Sequence, residues 1–188
     1  MKNALKSVFL ILIIIIIGCS SNSDDSPTTT ASNNTISLKV NGVAQTATVT
    51  TAMLLKAESI NHKTLYIEAE NSQYKFRLKL ISDYNNSLNS IPLGNYNVDN
   101  IQTAVFYAEF NILFKLPAGN TASYHHPGTI LYDVTSCDSN QKKVTASFSC
   151  LLDNGPDDDF YVNNVFIPSI VEITEGSINN IEYTVTEY

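Results

Sequence analysis

The chain has 188 residues, with 18 acidic against 11 basic side chains and a formal net charge of −7. That length suits one domain built on one sizeable core. An acidic chain without a basic cluster is a poor match for nucleic acid or anionic lipid headgroups, which sets both aside as partners.

Lys2 and Lys6 give a positive start, and Val8 to Ile17 is an almost unbroken apolar run. A spanning helix needs about twenty apolar residues. This run is about half that, so residues 1–18 read as a signal peptide that takes no part in the fold. The run ends in Ile16-Ile17-Gly18-Cys19-Ser20, which resembles a bacterial lipobox: branched apolar residues, a small residue, then cysteine. Gly18 suits a protease that must approach the backbone, and Cys19 carries the side chain able to become a thioether. Cys19 is the expected lipidation site.

Stable membrane attachment needs two anchoring signals. The lipobox resemblance implies a diacylglyceryl thioether, usually with a further acyl chain such as palmitate, so the membrane becomes a partner through covalent lipid. Ser20, in place of an acidic residue, implies sorting to the outer membrane. Ser23-Asp24-Asp25 resembles the short export signal of Bacteroidota surface lipoproteins and implies surface exposure, with a periplasm-facing position as the alternative. Loss of Lys2 and Lys6 with the signal moves the formal charge from −7 to −9.

Ser20 to Asn34 is Ser, Asn, Asp and Thr with one Pro and one Ala. Such a segment buries too little to offset its ordering entropy, so residues 19–34 are expected to be a lipidated, disordered tether. Fully extended, it reaches at most ~50 Å at roughly 3.3–3.6 Å per residue.

Residues 35–188 read as a single β domain. Strands are predicted at Ile36–Val40 and Val43–Leu55, joined by Asn41-Gly42, a strong turn signal. Lys63 to Leu80 alternates as a hairpin. A two-residue loop at Asn71-Ser72 would set Ala69 opposite Tyr74, Ile67 opposite Phe76 and Leu65 opposite Leu78, with Glu68 opposite Lys75 on the other face. A strand is predicted at Ala104–Phe114. A second hairpin follows from Thr129 to Leu151, with Ile130, Tyr132 and Val134 on one face and Val144, Ala146, Phe148 and Cys150 on one face of its partner. Val162 to Ile170 is read as a short turn or helix before Pro168, and Ile181–Thr186 as a last strand. The predicted fold class is all-β, an antiparallel β-sandwich or partly closed barrel.

In order along the chain stand Leu38-Lys39-Val40-Asn41-Gly42, Pro92-Leu93-Gly94-Asn95-Tyr96, Gly128-Thr129-Ile130, Val144-Thr145-Ala146-Ser147-Phe148-Ser149-Cys150 and Gly176-Ser177-Ile178-Asn179-Asn180-Ile181-Glu182-Tyr183. This succession resembles a family of small Bacteroidota surface lipoproteins of unknown function. Ala146 stands where that family usually has glycine, and Cys150 and Ile178 where aromatics are expected. The resemblance implies a β-sandwich-like fold and a surface or periplasmic location, and no reaction.

Chemistry-bearing residues are sparse. Cys137 and Cys150 would suit an oxidising compartment, but the hairpin puts Cys150 opposite about residue 128 to 130 and Cys137 near the turn on the other face. They would lie about 20 Å apart at roughly 3.3 Å per residue, well beyond the ~7 Å limit for a disulfide. His125 and His126 are adjacent and point to opposite sides of an extended strand, and His62 is the only other imidazole, so no metal triad is expected. Asp153, Asp157, Asp158 and Asp159 supply dense oxygen donors for Ca²⁺, without EF-hand spacing. Nucleophile-elbow, zincin and phosphate-loop motifs are absent, and no cofactor is implied. The sequence leads to a non-enzymatic binding or accessory module at the cell envelope. A glycan-binding surface module, a peptide or protein binder, and a small apolar-ligand carrier of β-barrel type are the forms it can take.

Overall fold

Alternating apolar and polar residues from Thr35 onward curl one sheet until its ends meet. The computed structural model describes residues 34–83, 88–97, 106–116, 121–124, 126–153, 160–162 and 165–188. Its strands are β1 (Thr35–Val40), β2 (Val43–Ala57), β3 (His62–Glu70), β4 (Tyr74–Asp83), β5 (Gly94–Asn97), β6 (Phe106–Lys115), β7 (Thr121–Tyr124), β8 (His126–Asp138), β9 (Lys143–Asp153), β10 (Phe160–Val162), β11 (Val165–Ile167), β12 (Ile170–Glu182) and β13 (Thr184–Glu187). The hydrogen-bonded order β1-β12-β9-β8-β5-β6-β4-β3-β2 is closed by a β1–β2 pairing. The all-β prediction holds, and its architecture is a closed nine-stranded barrel. An odd ring cannot alternate direction throughout, and its one parallel seam is β5 against β6. Strand β13 adds to β2 in parallel outside the ring, and β7 pairs with β6.

The interior is filled by side chains, as expected for a small barrel. Ring contacts run Phe114–Tyr74, Tyr74–Phe76, Phe76–Phe110, Phe110–Phe148 and Phe148–Tyr132, with centroids 5.1–6.3 Å apart. The Phe110–Phe148 contact joins β6 to β9, which are not neighbours in the ring, so it crosses the interior. Outward residues on β3, β4 and β6 include Glu68, Glu70, Lys75, Arg77, Lys79, Glu109 and Lys115, joined in ion pairs. This polarity, apolar inside and charged outside, is the reverse of a barrel whose outer wall faces lipid.

Asn41 and Gly42 both have positive φ, 49° and 79°, the conformation that a two-residue hairpin turn demands. The β3–β4 hairpin differs from its predicted register by two residues: Ala69 pairs with Phe76, Ile67 with Leu78, Leu65 with Leu80 and Glu68 with Arg77. The cause is Asn71, whose Oδ1 accepts from the backbone N–H of Gln73 and Tyr74. That local turn moves the loop to Ser72-Gln73. A two-residue shift keeps every side chain on its face, and Glu68 still meets Lys75, now diagonally.

Val165–Ile167 is a strand paired with Phe160–Val162, which corrects the reading of this stretch as a short turn or helix. The predicted last strand is divided at Tyr183. Residues 171–180, given no element from sequence, form most of β12. Its inward residues are Val171, Ile173, Gly176, Ile178 and Ile181, a spacing of two, three, two and three, and the buried Tyr183 follows just beyond it. Each three-residue step is a register shift against β9, and Glu175 and Asn180 within these steps adopt left-handed φ of 50° and 52°. These bulges bend the strand around the barrel.

Gly176 lies opposite Phe148, and a Cβ on it would fall 2.5 Å from the Phe148 ring. Gly176→Ala is therefore expected to overpack the interior and cost about 1–3 kcal/mol. In chemical denaturation, adding Phe148→Leu should cost less than the sum of the two single changes.

Candidate functional site

Two places in the barrel carry more polar chemistry than folding requires: one end of the interior, and one side of the outer wall.

At the end, the segment from Leu88 to Pro92 is tied down by side chains from three directions. Lys63 at the start of β3 is 1% exposed, and its Nζ donates to the carbonyls of Leu88 and Ser90 at 2.8 and 3.2 Å. Tyr183 Oη donates to the Asn89 carbonyl at 2.6 Å. Tyr96 Oη donates to the Pro92 carbonyl at 2.8 Å. Lys56 Nζ reaches Asn89 Oδ1 at 3.2 Å and pairs with Glu187 of β13. Tyr96 and Tyr183 are the tyrosines of two motifs quoted from sequence, and both hold this one segment.

Burial, then the neighbouring Lys56 charge, lowers the Lys63 pKa. Burial raises those of Cys137, Cys150, Tyr96, Tyr132 and Tyr183. The lysine, thiol and phenol at this end form a packed plug, with Cys137 Sγ 3.4 Å from Tyr183 Oη.

Around the outside, two regions of the wall contrast. On β3, β4 and β6 the charges engage one another: Glu68 with Lys75 and Arg77, Lys79 with Glu109, and Lys115 with Glu70. Burial alone would raise the Glu68 pKa, but hydrogen bonds from Lys75, Tyr66 and Arg77 hold it below the usual carboxylate range. Burial, then the bond to Glu68, pushes Tyr66 up to about 12.

On β5, β8, β9 and β12 the outer wall carries Asn95, Asp133, Ser147 and Ser149 beside the exposed Leu131 and Leu151, and a depression of about 550 Å³ opens there. It is lined by Asn95, Asn97, Leu131, Asp133, Ser147, Ser149, Glu175 and Gly176, with Tyr132 and Phe148 beneath. A second, of about 240 Å³, continues past Ser149 towards Thr129, Leu151, Glu172 and Thr174. The register shift between Ile173 and Gly176 falls at this place on β12. Glu175 is paired with Lys39; Asn95, Asp133, Ser147 and Ser149 have no side-chain partner among the described residues. The Asn97 amide oxygen is buried and also without a partner among them.

The residues singled out from sequence do not gather here. Cys19, His125, Asp157, Asp158 and Asp159 lie outside the described residues. Asp153 ends β9, exposed, opposite His126; His62 begins β3 opposite Asp83. No group of three metal-ligating side chains occurs among the described residues. Cys137 and Cys150 are free thiols, Cys150 opposite Ile130 and Cys137 opposite Val144. A register shift between Val134 and Ser136 turns Cys137 towards the core, correcting its expected outward face. Sequence reasoning missed Lys63 and the groove. Comparison with protein-family models, curated proteins and solved structures finds no match.

Lys63→Met removes the donor that the Leu88 and Ser90 carbonyls share and should cost about 1–3 kcal/mol, with faster amide exchange around Ile91. The raised thiol and phenol pKa values set the alkaline behaviour. Unfolded thiols lose protons above about pH 8.5 and unfolded phenols above about pH 10, while the folded groups keep theirs, so stability falls as pH rises through each value. Lys63 acts in the opposite sense, its penalty easing as it deprotonates, but it is one group against two thiols and several phenols. Urea denaturation from pH 7 upward should show a first decline near pH 8.5 and a steeper one near pH 10. In a Cys137→Ala/Cys150→Ala variant only the second should remain.

Proposed function

We propose that the chain is a lipid-anchored, non-enzymatic binding or accessory module of the cell envelope, attached through Cys19 and working through the outer wall of its barrel. A relationship to the small Bacteroidota surface lipoproteins is part of this reading, supported by the ordered motifs from Leu38 to Tyr183. The observation that carries it is the contrast between a packed interior and an open groove. The rings from Phe114 to Tyr132 occupy the space where a barrel-type carrier would hold an apolar ligand. The polar side chains left unengaged line a depression on the outside. A volume of about 550 Å³ lies within the usual range of about 300–1,000 Å³ for ligand sites.

The anchor is tested by fractionation. Cys19→Ala should release the protein from membranes or stall its processing, while circular dichroism shows the same β domain. Normal processing together with full retention in the membrane fraction would remove the anchor from the proposal.

A further inference from the structure

We infer that the groove across β5, β8, β9 and β12 is a saccharide-binding site, taking a neutral oligosaccharide that lies across β9. This deepens the binding-module reading and rests on it.

The lining decides the ligand chemistry. Asn95 carries an amide that donates and accepts, Asp133 a carboxylate able to accept from two adjacent hydroxyls, and Ser147 and Ser149 hydroxyls that do both. Vicinal ring hydroxyls, each donor and acceptor at once, match this set. Leu131 is 51% exposed and Leu151 42%, offering apolar surface to the C–H faces of the sugar rings. Ser149 lines both depressions, so the groove is extended and suits a chain of sugar units.

Other ligand classes fit less well. An extended peptide that adds as a strand needs a free edge, yet β8, β9 and β12 are paired on both sides along this wall. A hard cation needs about six to eight oxygen ligands. Only two carboxylates line the larger depression, and the Glu175 carboxylate is engaged by Lys39. An anionic sugar would find Asp133 and Glu175 and no lining cation.

The test uses the full chain in mild detergent against an array of neutral, acidic and amino oligosaccharides, with a peptide library alongside. Isothermal titration of any hit follows for the parent chain, Asp133→Ala and Ser149→Trp. Both positions lie on the outer wall away from the core, and thermal melts check that the variants remain folded.

At least one neutral series should bind. Asp133→Ala should weaken it about tenfold or more, the loss of a charge-assisted hydrogen bond, and Ser149→Trp should abolish it by filling the groove. Binding confined to acidic or amino sugars overturns the ligand class. Binding unchanged in both variants overturns the site. Peptide binding with no saccharide binding overturns this inference and leaves the binding-module reading standing; no binding on either surface removes both.

Discussion

Every strand of the ring must present apolar side chains to one narrow interior, and the contact of Phe148 with Gly176 is where that demand is tightest. A phenyl ring occupies the space that a side chain on β12 would need. From there the ring contacts extend through Phe110 and Phe76 to the far wall. Closure leaves no slack, because a residue too large at one position displaces aromatics contributed by several strands. It also explains why the strands are bulged: a long strand stays in phase with a curved interior only by skipping residues.

Those skips explain what was legible in the sequence. Where alternation is unbroken, as in β3, β4 and the middle of β8 and β9, the faces were readable and correct. In β2 the inward set changes parity between Val49 and Leu54 around a register shift, and in β8 it changes between Val134 and Cys137. Both strands were found, but Cys137 was set on the wrong face. In β12 the steps of two and three average to neither strand nor helix, and most of that strand was invisible to a periodicity argument. Asn180 hinted at a left-handed residue; Glu175 gave no such hint, since its conformation is fixed by the bulge around it.

The candidate site was barely legible. Lys63 reads in sequence as one more alternating residue near the start of a hairpin, and its predicted neighbours gave no reason to bury it. Only closure of the barrel end brings the carbonyls of Leu88 and Ser90 over its ammonium. The groove is assembled from short polar residues on four strands, two of them separated by some eighty positions in the chain. Each is ordinary alone, and what distinguishes Asn95, Asp133, Ser147 and Ser149 is that they meet on one wall without the side-chain partners found around β4.

The point where the chain enters the barrel has a mechanical meaning. Asn34 is clamped to Val49 by two hydrogen bonds, its carbonyl to the Val49 N–H and its amide to the Val49 carbonyl, just before β1 begins between β2 and β12. Under the proposed anchoring, any pull between the membrane and a bound ligand enters the domain there. Because β1 is hydrogen-bonded along both edges, tension along its axis loads two ladders in shear, many bonds at once. A module held on a leash resists a tugging partner best when the leash is fastened to such a strand, and under that proposal β1 is the strand that takes the load.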